Sequence, residues 1–266
     1  AHTRGRRNEM EDVFIEYKSH GSDALGNIYV FGVCDGHGGS AVSDWLHTNL
    51  GPIVANSLRL GLSLQQAFSI VQAQLEKQID PSSAAGMGST ACITVILPKH
   101  NLYYIANCGD SRCVLIDLLN PSDFSRRITV DHKPEEPTEK ARIEQNGGAV
   151  ISLFGISRIN GCLSVSRGFG DGSMRPFGFT EQPDVFGPFV LQERYALVLA
   201  CDGLFDVVTD VGVAKTAAHY LSGCVSPVTL EKSVIVERAV QQLRNLAFAS
   251  DSGDNISVML VVPWKK

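Results

Sequence analysis

Three short apolar, β-branched runs, STACITVIL, LYYIANC and SRCVLID, lie between residues 89 and 117, separated only by PKHN and by the few residues around Gly109. Connections this short have no room for a crossover helix, so an antiparallel meander is expected. The runs are apolar on both faces, which calls for covering layers above and below the sheet. Other strand-like runs also come in clusters: VFIEY and IYVFGVCD before the meander, ALVLACD and ISVMLVV after it. Helix-period spacing comes in adjacent pairs. One pair runs from Ser40 to about Leu60 and from Ser63 to about Ile79, with Leu64, Phe68, Val71 and Leu75 in phase and Ser63 with Gln66 as a capping box. The other lies near 210–221 and 229–248. A shorter helix should start near Pro137 and Thr138 and stop at Gly147-Gly148. Clustered strands with paired helices favour an α+β fold of antiparallel sheets over a doubly wound parallel sheet.

The 266 residues, 44% of them hydrophobic, suit a single domain spanning 1–266 with a substantial core. A net charge of −5 and dispersed Lys and Arg, apart from RGRR near the start, argue against nucleic acid as a partner. There is no apolar run long enough for a membrane span and no signal-peptide core at the start. Because the chain begins at Ala1, the expectation is a fragment or processed form. The seven cysteines, Cys34, Cys92, Cys108, Cys113, Cys162, Cys201 and Cys224, form no CxxC pair and sit mostly in apolar runs. Buried, reduced thiols of a cytosolic or nuclear protein are expected. Without a coiled-coil heptad the expected state is a monomer.

Three aspartates terminate strand-like runs: Asp35 in VFGVCDGHGG, Asp202 in LVLACDGLFD and Asp254 in SGDNISVMLVV. A carboxylate at the end of a hydrophobic strand is rigidly held yet reaches solvent, so the three could converge on one hard-metal site. Magnesium and manganese take carboxylate, carbonyl and water oxygens, whereas zinc more often recruits His or Cys. A Mg²⁺- or Mn²⁺-dependent hydrolase is the leading expectation.

Neighbouring motifs add to this set. RRNEMED alone reads as a solvated charge cluster, but the strand VFIEY after it would bring Glu11 and Asp12 to a sheet edge, and Arg7 offers a planar fork to phosphate. In DGHGG, glycines at 36, 38 and 39 permit close approach and positive φ. The plain reading is a strand-to-helix turn; the sharper one adds the Gly36 carbonyl as a metal ligand and His37 as proton donor to a departing alkoxide. Asp110 in NCGDSR is by itself a turn residue. CDGLFD places Asp206 four positions after Asp202, and two carboxylates so close repel unless a cation intervenes. His132 in DHKP reads as a packed turn histidine.

Taken in order, RRNEMED, VCDGHGG, GSTA, NCGDSR, DHKP, NGCLSVSRGFGD, CDGLFD and GDNIS resemble the successive motifs of the metal-dependent protein serine/threonine phosphatases of the protein phosphatase 2C type. The resemblance runs from Arg7 to the last strand. It implies a four-layer α-β-β-α sandwich, two antiparallel sheets flanked by antiparallel helix pairs, with a two-metal centre at one edge. It also implies that Asp35 bridges two Mg²⁺ or Mn²⁺ ions, that the Gly36 carbonyl binds one, and that Asp202 and Asp254 bind the other. Glu11 would act through metal-bound water, Asp12 would support the centre from behind, Arg7 would hold substrate phosphate and His37 would be the general acid. Asp110, with Asp202 or Asp206, resembles the position of a weaker third metal. The implied reaction is direct hydrolysis of phosphoserine and phosphothreonine in phosphoprotein substrates by a water or hydroxide bridging the metals, with no phosphoenzyme.

The chain departs from the family pattern in a few places. Few residues precede Arg7, so the first strand should be largely missing and a sheet edge left open. Phe205 stands where many members have tryptophan, and SRGFGD replaces the commoner SRALGD. Residues from about 135 to 167 match the family's flap, where Leu153, Phe154 and Ile156 around Gly155 either meet a phosphoprotein or anchor an ordinary loop. Neither tryptophan, Trp45 or Trp264, lies in it, so a likeness to the plant hormone-receptor-binding members is not supported. Two other readings remain: an inactive scaffold of the same fold, which should have lost metal-ligand candidates, and a two-metal phosphatase acting on a small-molecule phosphate.

Overall fold

The computed structural model describes residues 1–79, 85–120, 125–225 and 232–263. In chain order the first elements are β1 (His2–Thr3), β2 (Val13–Ser19), β3 (Ile28–Cys34), β4 (Gly36–His37), α1 (Ala41–Arg59), α2 (Leu64–Gln78), β5 (Gly88–Ser89), β6 (Ala91–Leu97), β7 (Leu102–Cys108), β8 (Arg112–Asp117) and β9 (Ser125–Arg127). They are followed by α3 (Pro137–Gln145), β10 (Val150–Leu153), β11 (Ile156–Ile159), β12 (Phe169–Gly170), β13 (Asp184–Val190), β14 (Tyr195–Ala200), α4 (Asp202–Phe205), α5 (Asp210–Val225), α6 (Lys232–Ala249) and β15 (Ile256–Val261).

Two five-stranded antiparallel sheets form the centre, one ordered β13-β7-β6-β3-β2 and the other β1-β15-β14-β8-β9. The meander expected between residues 89 and 117 is split between them. β6 and β7 pair from Ala91↔Cys108 to Leu97↔Leu102, but β8 pairs with β14 instead of β7. The chain changes sheet at the turn around Gly109, so a connection too short for a helix here is a corner between layers.

The central strands of both sheets are buried on both faces, as the apolar runs require. Ile15, Val30, Ile93 and Val95 pack beneath α1 and α2 against Leu46, Val54, Phe68 and Val71. On the opposite side Val114, Val198 and Val258 meet Val213, Ala217 and Leu243 of α5 and α6. Between the sheets lies a third apolar layer that includes Val33, Cys92, Ile105, Cys113, Leu199 and Cys201. The result is the expected four-layer α-β-β-α sandwich. Close helix–sheet contact depends on Gly51, where a Cβ would lie 2.4 Å from Cβ of Tyr17. The Ser63–Gln66 capping box opens α2 with both reciprocal bonds present.

The cysteine expectation needs one correction. Cys34, Cys92, Cys108, Cys113 and Cys201 are buried thiols, but Cys162 is exposed. It follows the β10–β11 hairpin, where no second layer covers it among the described residues. The Cys224 side chain and Trp264 lie outside the described residues. β1 pairs with β15 at only two positions, His2↔Ser257 and Thr3↔Ile256, so among the described residues most of that edge has no strand partner. The β10–β11 hairpin turns at Phe154 and Gly155, both with positive φ (52° and 83°), as a two-residue hairpin loop demands. Leu153, Phe154 and Ile156 are exposed there instead of being anchored inward.

Candidate metal centre

The carboxylates come from both sheets. Asp12 immediately precedes β2 and Asp35 follows β3 in one; Asp202 follows β14 and Asp254 precedes β15 in the other. Asp110 sits in the corner where the chain passes between them. At this end of the sandwich a cavity of about 320 Å³ is lined by Glu11, Asp35, Asp110, Asp202 and Asp254, together with Arg7, Gly36 and His37. Eight of the ten residues singled out from the sequence therefore share one wall. Asp12 is buried just behind it, and Asp206 is exposed beyond the end of α4.

The backbone around Asp35 is tightly specified. A Cβ at Gly36 would come within 2.4 Å of the Glu11 carbonyl oxygen, and Gly38 and Gly39 have φ of 72° and 128°. Thr90 braces Asp35 twice: its N–H donates to the Asp35 carbonyl at 2.9 Å and its Oγ1 accepts from the Asp35 N–H at 3.1 Å. The same Oγ1 is 2.7 Å from Ser111 Oγ, which ties the corner to the turn. Asn255 fastens the N-terminal segment, accepting from the Glu11 N–H and donating to the carbonyls of Arg4 and Glu9.

The charge arrangement is unfavourable for the protein alone. By donor–acceptor geometry among the described residues, both oxygens of Asp12 and Oδ1 of Asp202 are buried without a hydrogen-bond partner. Burial, reinforced by Asp12 and Asp202, pushes the Asp35 carboxyl well above the ordinary range. Burial lifts Asp12 to about 6, and burial together with Asp110, Asp206 and Asp254 lifts Asp202 to about 8. Carboxylates this crowded ionise readily only beside a cation. Asp12, Asp35 and Cys201 could each place one donor atom within 4.8 Å of the others. Burial pushes the Cys201 thiol well up, and its sulfur already accepts from the Ser257 N–H. The donors suited to a metal are therefore oxygens, which fits Mg²⁺ or Mn²⁺.

Two contacts join residues of the site to partners that had been given no role from sequence. His37 Nε2 is 2.7 Å from Oδ2 of Asp171, which is itself buried. Burial alone would lower the His37 pKa, but the Asp171 hydrogen bond and charge raise it. Lys133 Nζ forms an ion pair with Asp110. Both partners belong to motifs noted in the sequence, GFGD and DHKP; what was missing was the fold that brings them over. Asp171 has φ of 45°, and a Cβ on Gly88 would lie 1.9 Å from its Oδ2, so a bare backbone makes room for it. His132 is structural as expected: Nδ1 accepts from the Gly109 N–H at 3.1 Å and Nε2 lies 3.2 Å from Asp184. Arg7 Nη2 donates to Asp254 at 2.7 Å while its side chain stays 57% exposed.

The family model for protein phosphatase 2C matches residues 1–256. The chain belongs to the protein phosphatase 2C family. It is 31% identical over 320 residues to protein phosphatase 2C 50 of Oryza sativa subsp. japonica, covering 98% of this chain and 81% of that protein. It is 32% identical to a probable protein phosphatase 2C 24 of Arabidopsis thaliana, covering 97% and 76%. Among solved structures, a phosphatase from a pathogenic strain of Toxoplasma gondii superposes with a TM-score of 0.79 at 24% identity, covering 98% and 91%. A Caenorhabditis elegans sex determining protein gives 0.82 at 24% identity, covering 98% of this chain and 63% of that one. These superpositions establish the shared fold. Protein phosphatase 2C enzymes are metal-dependent protein phosphatases, and the oxygen-rich centre described above suits that chemistry.

Proposed function

We propose that this protein phosphatase 2C chain hydrolyses phosphoserine and phosphothreonine in proteins, with Mg²⁺ or Mn²⁺ at two positions. The observation that carries the reading is the convergence of six carboxylates on one cavity whose lining also includes two arginines and a histidine. Asp35 would be shared between the two cations, the Gly36 carbonyl would serve one, and Asp202 and Asp254 the other. Glu11 would act through water and Asp12 from behind. Asp110, with Asp202 or Asp206, would hold a weaker third cation, for which Lys133 now supplies the positive charge. Bound divalent cations neutralise charge on the phosphoryl oxygens and lower the pKa of water toward neutrality.

The protein's own groups do the rest. Arg7 presents its remaining N–H groups to the phosphate while Asp254 fixes one arm of the guanidinium. His37 gives a proton to the departing serine or threonine alkoxide, and Asp171 holds the ring and favours its charged form. Thiol catalysis is disfavoured: Cys34 and Cys201, each beside a ligand candidate, are fully buried with thiols pushed up by that burial.

The test is phosphate release from a phosphothreonine peptide with Mn²⁺ or Mg²⁺, against a chelator control and an Asp202→Asn variant. Turnover lost in both controls supports the reading. No turnover from a folded protein that binds Mn²⁺ would instead favour a scaffold.

A further inference from the structure

In the β10–β11 hairpin Ile151 pairs with Arg158 and Leu153 with Ile156. Directly opposed residues share one face of a ribbon, so Arg158 ends a row whose other members, Ile151, Leu153 and Ile156, are exposed apolar side chains. Arg158 is the member of that row that reaches the cavity wall. Its Nη1 donates to the Cys162 carbonyl at 2.7 Å, which orients the guanidinium, while Nε and Nη2 have no acceptor among the described residues.

Two arginines line the cavity. Arg7 is paired with Asp254, whereas Arg158 forms no ion pair among the described residues. Six carboxylates, of Glu11, Asp35, Asp110, Asp171, Asp202 and Asp254, share the lining with it. A guanidinium left unpaired in so acidic a cleft is an anion receptor whose anion comes from elsewhere. Its fork matches a carboxylate or a phosphate in two-point contact, and the short hairpin holds it in place.

We infer that Arg158 is a specificity-determining residue that binds an anionic group, a carboxylate or a second phosphate, carried by the phosphoprotein close to the residue being dephosphorylated. This rests on the protein phosphatase reading above. The apolar row then gives the chain beyond that anion a surface to follow, away from the carboxylate wall.

The experiment compares kcat/KM for three phosphothreonine peptides that differ only in the flanking residues, alanines, glutamates or a phosphoserine, with p-nitrophenyl phosphate as a reference that has no flanks. The wild-type chain should prefer an anionic flank over alanine by about five- to tenfold, the effect of one charge-assisted pair. The preference should collapse to about one in Arg158→Met and return in part in Arg158→Lys. Glutamate and phosphoserine flanks distinguish the two sources of the anion. A wild type indifferent to flanking charge would overturn the inference, as would an Arg158→Met loss on p-nitrophenyl phosphate as large as that on the glutamate peptide. If no phosphate compound is turned over in the presence of metal, the phosphatase reading itself fails.

Discussion

His37 and Asp171, 134 positions apart in sequence, meet through a 2.7 Å contact between Nε2 and Oδ2. The carboxylate is buried and the imidazole side chain is 30% exposed, so the pair has one sheltered end and one end open to the cavity. A proton donor needs this arrangement: a fixed ring, a raised pKa and access to the leaving group.

Replacing either partner should therefore affect substrates unequally. His37→Ala is expected to lower kcat on a phosphothreonine peptide by about 10²-fold or more, with a much smaller loss on p-nitrophenyl phosphate, whose leaving group needs little protonation. Asp171→Asn should give the same pattern with smaller losses. Steady-state kinetics on both substrates decide it, and equal losses would remove His37 from the acid role.

The crowded carboxylates should make the metal-free protein sensitive to pH in an unusual direction. Asp12 and Asp202 are raised to about 6 and about 8 in the fold, above the unfolded value near 3.8, so the folded state binds more protons than the unfolded one. Their contribution is fully present below pH ~4 and is lost as pH rises through the folded values. Thermal scans of chelated protein should show Tm falling from pH 5 to 8, and millimolar Mn²⁺ should reverse the fall. Asp202→Asn should raise the Tm of the chelated form at pH 8 while reducing the gain from Mn²⁺.

Glu139 titrates with the opposite sign. Burial alone would raise it, but hydrogen bonds from Arg167, Arg142 and Ser166 prevail and hold it at about 2. Stability from this network is present above the unfolded value near 4.5 and is lost as pH falls toward 2. Glu139→Gln should cost about 3 kcal/mol at pH 7, since it leaves the partly buried N–H groups of Arg142 and Arg167 short of an anion. It should also flatten the acid limb of a denaturation curve between those two pH values.

Arg7→Ala separates ground-state from transition-state binding. A rise in KM of about five- to tenfold with kcat within about twofold is expected if the guanidinium holds phosphate equally in both states. A fall in kcat at unchanged KM would assign it to the transition state.

Much of this was legible in the sequence. Apolar runs ending in Asp35, Asp202 and Asp254 carried both strand position and chemistry in the same few residues, and the Ser63–Gln66 cap and the glycines after Asp35 are local devices that read directly. What stayed hidden depends on distance. Asp171 acts only because residues around 88 and 170 pair as a small sheet, and Lys133 only because the segment after β9 returns to Asp110. The meander was the expectation most changed, because a short turn fits a hairpin and a corner between sheets equally well from local chemistry. Cys162 departed from its expected burial for a related reason: an apolar neighbourhood in sequence does not guarantee a covering layer.

Asp12 and Asp35 hang from one sheet, Asp202 and Asp254 from the other, and Asp110 from the corner between them. Cations held between these two sets would act as rivets through the sandwich, and their fit would register how one sheet lies over the other. Repacking the apolar seam between the sheets, at Cys92 or Cys113 for example, would then retune metal affinity from a position that touches neither metal nor substrate.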